Sequence, residues 1–261
     1  MDELNIIVDF HKDSQRQGPG SDIETIKALD LICRPKDNID NIDILDIGCG
    51  TGSQTMVLAE NSKSYITAID IFPEFLDVLN RKIKEKNLAS RVVAQQISME
   101  DLPFKNEQFD LIWSEGAIYI IGFEKGLKEW RRVLKPEGYL VATEMSWLTN
   151  KRPYEIEKYW TKNYSQIDTI PNKMKLIEEN GYIPTAHFIL PEYCWLNNYY
   201  EPNQERMKSF LEKHKHSRLA EEFIKNEKKE VHMYKRYKDY YGYVFYISRK
   251  KGELFKTIPE L

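Results

Sequence analysis

Residues 42–52 read Ile-Asp-Ile-Leu-Asp-Ile-Gly-Cys-Gly-Thr-Gly, and no other stretch constrains the chain as tightly. An apolar run rich in Ile ends in an acid, Asp46, and three glycines at alternate positions follow: Gly48, Gly50 and Gly52. Such a run suits a strand buried on both faces of a parallel sheet. Glycines after it let the backbone turn sharply and approach a ligand closely, because no Cβ intervenes. The helical pattern from Ser53 begins with unpaired N–H groups aimed at that turn. A small-ligand loop at the carboxyl end of a first strand is the expectation.

Spacing narrows the ligand. Dinucleotide loops use Gly-x-Gly-x-x-Gly, and phosphate loops add Lys-Ser/Thr. This loop is Gly-x-Gly-x-Gly with Asp46 two residues ahead, and it has neither feature. Composition excludes other classes. The 261 residues, 41% hydrophobic, suffice for one large domain with a full core. A net charge of −3 is no electrostatic footprint for nucleic acid. No apolar run reaches the roughly 18 residues of a membrane span, and the N-terminus has no signal-peptide core. Cys33, Cys49 and Cys194 lie far apart, without zinc spacing. They read as buried thiols in a reducing cytoplasm, with no metal site.

Along the chain, residues 1–17 are polar and mixed, a flexible or docking arm. Gly18-Pro19-Gly20 breaks the chain, a turn read either as simple helix capping or as a cover over the ligand. Ser21-Asp22-Ile23-Glu24 then reads as a capping box for a helix that runs to Pro35. Strands are expected at 42–47, 65–70, 91–97, 109–114, 139–145, 181–190 and 241–248. Helices are expected at 53–60, 74–87, 124–134 and 173–180, with a turn at 135–138. Alternation of this kind makes a doubly wound α/β fold with a seven-stranded, mostly parallel sheet. Residues 146–172, with Trp147, Tyr154, Tyr159, Trp160 and Tyr164, interrupt it. The mixed-charge stretch 202–239 reads as mostly helical.

Ligands in such sheets sit outside the carboxyl ends of the strands. Four ends carry suitable groups: Asp46–Gly52, Asp70 with Ile71, the loop from Ser98 and Met99 to Phe104, and Ser114-Glu115-Gly116. With the Leu134–Gly138 turn, this set resembles the class I S-adenosylmethionine (SAM) dependent methyltransferases of the ubiquinone/menaquinone C-methyltransferase-like group (methyltransferase type 11). The motifs cover about residues 20–146. Gln17–Gly20, Trp113–Tyr119 and Thr185–Pro191 resemble a narrower set of uncharacterised bacterial methyltransferases. The resemblance implies a Rossmann-like methyltransferase fold and SAM as cofactor. Gly48 and Gly50 would lie under the methionine moiety, whose ammonium tolerates Asp46, and Gly18, Cys49 and Ile71 would also contact the cofactor. Asp70 would take the ribose, Ser98 and Met99 would border adenine, and Ser114 would back the carboxypropyl chain. Many relatives have Asp where this chain has Ser98, a weaker neutral acceptor. Glu100 or Asp101 stand near enough to substitute.

The expected organisation is a single domain over 1–261. Its SAM-binding core is 18–145, and lid insertions span 146–172 and 191–239. Methyl transfer is a direct displacement that mainly needs alignment and exclusion of water. Candidate catalytic residues are those at strand ends facing the methyl group. Glu115 reads as amine anchor, base or helix N-terminal carboxylate. Tyr119 reads as base or pocket wall, Glu144 as a strand-end acid, and His187 as a catalytic or merely structural histidine. The expected partner is a small-molecule methyl acceptor, with no nucleic acid; a homodimer is left open. Two alternatives stand beside this reading: a SAM-binding regulatory or scaffold protein without transfer activity, and an RNA or protein methyltransferase.

Overall fold

The computed structural model describes residues 3–32 and 40–252 of the chain. Cys33 and the helix stop at Pro35 lie outside the described residues. Strand β1 (Asp43–Ile47) forms from the apolar run, and Ile44, Leu45 and Ile47 are fully buried. Ile44 enters one core cluster and Leu45 the other, so both faces of the strand are covered.

The sheet is built outward from β1. Strands β2 (Tyr65–Asp70), β3 (Val92–Gln96), β4 (Phe109–Ser114) and β5 (Leu134–Trp147) lie parallel in the order β3-β2-β1-β4-β5. A two-residue strand, β6 (Asp168–Thr169), pairs with the end of β5. β8 (Tyr241–Lys250) runs antiparallel between β5 and β7 (Tyr182–Ile189), which closes the edge. The doubly wound α/β sheet therefore has eight strands, the seven expected plus β6. β1 has β2 on one side and β4 on the other. The strand order reverses there, which leaves a crevice at the carboxyl ends.

Helices α1 (Glu3–His11), α2 (Asp22–Ile32), α3 (Ser53–Asn61), α4 (Pro73–Glu85), α5 (Phe123–Trp130), α6 (Tyr154–Asn163) and α7 (Ile170–Glu179) follow in chain order. The capping box at α2 is half made: Ser21 Oγ accepts from the Glu24 N–H at 3.1 Å. The Glu24 carboxylate instead takes the Tyr193 hydroxyl at 3.0 Å. The turn at 135–138 is a bulge inside β5, with Glu137 at φ 63° and a register shift against β4.

Three further helices cap the sheet: α8 (Glu192–Trp195), α9 (Glu201–Lys213) and α10 (Arg218–Tyr237). A π-helical segment, Leu196–Tyr200, joins the first two. The stretch 202–239 is thus two helices, broken where Lys215 and His216 take positive φ and Ser217 caps α10. Residues 1–17, expected as an arm, hold α1 docked on this cap. Ile6 and Phe10 pack against Met207, Phe210, Ala220 and Ile224. Among the described residues no helix is long and apolar enough to cross a membrane.

Candidate functional site

Gly48, Gly50 and Gly52 all adopt left-handed backbone, φ 71°, 54° and 84°. Other residues enter that region only at a cost. A Cβ on Gly48 would overlap that of Ala117, and one on Gly50 would overlap the Gln17 amide. The N–H groups of Gly48 and Cys49 both donate to the Ile69 carbonyl at 2.9 Å, which pins the loop to β2. Lys82 of α4 donates to the Thr51 carbonyl at 2.9 Å from the other side. Cys49 is buried, and burial pushes its thiol up.

Asp70 closes the loop from the end of β2. Its carboxylate accepts from the Gly50 N–H at 2.8 Å and the Phe72 N–H at 3.0 Å. Burial raises this carboxyl, and those backbone donors pull it back only in part. A carboxylate offers about four acceptor positions, so Asp70 can still receive further hydroxyls. Ile71, beside it, is 55% exposed. Asp46 is placed differently. It is fully buried and accepts from Thr55 Oγ1 at 2.5 Å and Gln54 Nε2 at 3.2 Å. Burial pushes Asp46 up to about 7. Its carboxylate ties β1 to the first turn of α3.

At β3 the Ser98 hydroxyl accepts from the Glu100 N–H at 3.2 Å. The Met99 carbonyl takes Trp130 Nε1 at 3.0 Å, which fixes this loop against α5. Glu100 itself pairs with Lys125 at 2.8 Å on the surface. Ser114 at the end of β4 is fully buried, and its hydroxyl has no hydrogen-bond partner. An orphaned buried hydroxyl costs on the order of 1–3 kcal/mol, which a ligand group would relieve. Around Gly18 the space where a Cβ would stand is open.

Local sequence signals missed the segment just before Gly18. Gln17 lies on the glycine loop. Its Oε1 accepts from the Thr51 N–H at 3.0 Å, and its Nε2 donates to the carbonyls of His11 and Ser14 at 3.2 Å. Arg16 is buried beside it and pairs with Glu115 at 3.0 Å and Asp22 at 2.9 Å. Glu115 also accepts from Thr25 Oγ1 at 2.7 Å and Trp113 Nε1 at 2.9 Å. With three donors on it, the Glu115 carboxylate holds the N-terminal segment over the site. Only the Gln17–Gly20 resemblance pointed there.

The other candidate acids and bases scatter. Glu144 forms a buried ion pair with Lys173 at 2.6 Å and accepts from the Tyr164 hydroxyl at 2.6 Å. Its second oxygen has no partner. Burial raises Glu144 despite the lysine. Tyr119 is 41% accessible, yet burial pushes its phenol up to about 12. His187 is exposed on the edge strand β7 and stacks on Tyr246 at 6.5 Å, several strands from the glycine loop.

Residues 45–142, which carry β1 to β5 and the whole glycine loop, match the family model described as a methyltransferase domain. In this segment the chain is similar to that methyltransferase family. The ubiquinone/menaquinone biosynthesis C-methyltransferase UbiE of Geotalea daltonii is 36% identical over 106 residues, 40% of this chain and 45% of that protein. The chain thus spans about half the length of the curated relatives it matches. A SAM-dependent methyltransferase from Geobacter sulfurreducens, solved with S-adenosyl-L-homocysteine, superposes with a TM-score of 0.81 at 17% identity, covering 95% of this chain and 98% of that one. The [4+2]-cyclase SpnF superposes at 0.75 with 18% identity, covering 96% and 94%. At these identities the likeness shows the fold, a Rossmann-like methyltransferase fold that takes in the cap.

Proposed function

We propose that the chain transfers a methyl group from SAM to a small-molecule acceptor. One observation carries the reading. The left-handed glycine loop is bounded by an acceptor-rich carboxylate, Asp70, and by the unpartnered buried hydroxyl of Ser114. Those groups fit the cofactor. Asp70 would take the ribose hydroxyls, and Ile71, Ser98 and Met99 would border the base. Gly48, Gly50 and Ser114 would hold the amino-acid end. SAM supplies a methyl group on a sulfonium, open to direct displacement. What the chain contributes is alignment and exclusion of water. Gln17 and Arg16, locked by Glu115, cover the loop, and the α8–α10 cap encloses the acceptor side.

The small-molecule assignment draws on the UbiE-like relatives and on a surface without a basic footprint. A cyclase shares the fold, so binding alone does not decide the activity. Incubation with methyl-labelled SAM and fractionated metabolites is the test. Label appearing in a low-molecular-weight product supports the proposal. SAM binding without label in any product would leave a binding protein, the reading that competes most directly.

A further inference from the structure

Residues 14–21 run between the glycine loop and the helical cap, and groups on both sides hold them. On the loop side, the Gln17 amide donates to Thr51 Oγ1 and accepts from the Thr51 N–H, each at 3.0 Å. Ser53 Oγ donates to the Gln15 carbonyl. At the end of β4, Arg16 pairs with Glu115 at 3.0 Å, both side chains being 7% exposed. On the cap side, Arg206 of α9 donates to Ser14 Oγ at 2.5 Å. Asn198 of the π-helical segment donates to the Gly20 carbonyl at 2.9 Å, and the Tyr193 hydroxyl of α8 shares a hydrogen bond with Ser21 Oγ at 3.0 Å. Gly20 leaves the room that the Arg16 guanidinium fills, since a Cβ there would stand 2.8 Å from Arg16 Nη1.

A second observation is independent of those contacts. Three buried nitrogens on the cap side have no hydrogen-bond partner among the described residues: His11 Nδ1, Asn203 Nδ2 and Arg206 Nε. Their residues form one chain of contacts. The Ser14 N–H donates to the His11 carbonyl at 2.9 Å, and Arg206 reaches both Ser14 and the Asn203 side chain. Buried polar groups are ordinarily satisfied. Water would reach these nitrogens if the segment lifted from α9. The closed arrangement thus carries a desolvation cost that an open one would shed.

A segment held by contacts on both sides, at such a cost, is tipped by whatever binds beneath it. Gln17 stands against Gly50, and Glu115 follows Ser114, whose buried hydroxyl is unpartnered. Helix α1, packed on α9 and α10, fixes one end of the segment, and the capped start of α2 fixes the other. We propose that residues 14–21 are a strap that lifts for the cofactor to enter and leave, with the Arg16–Glu115 pair as its latch. Glu115 is then a positioning residue, neither base nor amine anchor. Because α8, the π-helical segment and α9 hold the same strap, closure over the cofactor also draws in the cap. The inference rests on the cofactor reading above and assigns that site its way in.

The test follows S-adenosylhomocysteine on the full chain by binding kinetics and by amide hydrogen exchange. The amides of residues 14–21 and of Thr51, whose N–H is closed off by Gln17, should exchange at least about tenfold more slowly at saturating ligand. Glu115→Gln should release the ligand about tenfold faster, because the charged partner of Arg16 is lost. Asn198→Ala, a cap residue outside the glycine loop, should release it about threefold faster. Association should not slow in either variant. Circular dichroism checks that each is folded; if Glu115→Gln is not, the exchange data and Asn198→Ala decide. Exchange over residues 14–21 that is equal with and without ligand would overturn the proposal. So would unaltered release in either folded variant. Absent S-adenosylhomocysteine binding in the unaltered chain registers separately, and would remove the cofactor reading and the strap with it.

Discussion

Asp70 accepts the Gly50 N–H on one oxygen and the Phe72 N–H on the other, and each oxygen keeps a further acceptor position for a ligand. Asp70→Ala should weaken SAM binding about 10- to 100-fold, since hydrogen bonds to a charged group are worth roughly 1.5–3 kcal/mol. Calorimetric titration checks this, and an unchanged dissociation constant would remove the ribose role. The neighbouring acid predicts a pH effect instead. Asp46 in the folded chain is raised from 3.8 to about 7. Between those values the folded state keeps a proton that the unfolded state has released, so stability falls as pH rises through this window. Glu227, raised from 4.5 to about 8, extends the fall. Asp46→Asn should therefore flatten the dependence of the urea midpoint on pH between about 4 and 7. An equal slope in that variant would contradict the assignment. The glycines differ as well. Gly48→Ala forces a β-carbon into Ala117 with φ at 71°, whereas Gly50→Ala meets the movable end of Gln17. The first should lose about 2–5 kcal/mol of stability, from backbone strain and overpacking together. The second should lose less, and melting curves rank the pair.

Among the elements, those held by local pattern were legible in the sequence. β1, β2, β4 and the glycine loop follow from apolar runs and turn residues that sit side by side in the chain. The capping serine of α2 was equally visible. What failed was non-local. Helix α1 looked like an arm because its apolar face, Ile6 and Phe10, is short, and the surface covering it lies on α9 and α10. The expected lid also needs revision. Trp147 is strand, at the end of β5, and with Trp160 and Trp195 it belongs to the same core cluster as Ile44 and Trp113 of the sheet. Tyr154, offered as a lid residue, is 74% exposed. Glu144 was legible as a strand-end acid, but nothing in the sequence tied it to Lys173 on α7. That pair joins β5 to α7 in the interior, with side-chain exposures of 2% and 0%. Lys173→Met leaves the carboxylate buried without its cation and should cost about 3–5 kcal/mol. Adding Glu144→Gln should recover part of the loss, as a double-mutant cycle by denaturant unfolding would show.

Across the whole molecule, one fold carries two kinds of information. The half before residue 117 holds the groups that suit a cofactor, and their motif was readable because it is contiguous. The cap over the sheet comes from the π-helical segment and from α8 to α10, which lie far along the chain from that motif. A methyltransferase and a cyclase can share this architecture, so activity has to be measured on the product. The most direct measurement is transfer of isotopic methyl from SAM into small molecules, run in parallel with Asp70→Ala. The account predicts a labelled low-molecular-weight product with the unaltered chain and a loss of at least about tenfold in the variant at limiting SAM. Binding of NAD with no heat from SAM, or SAM bound and no labelled product from any pool, would contradict it.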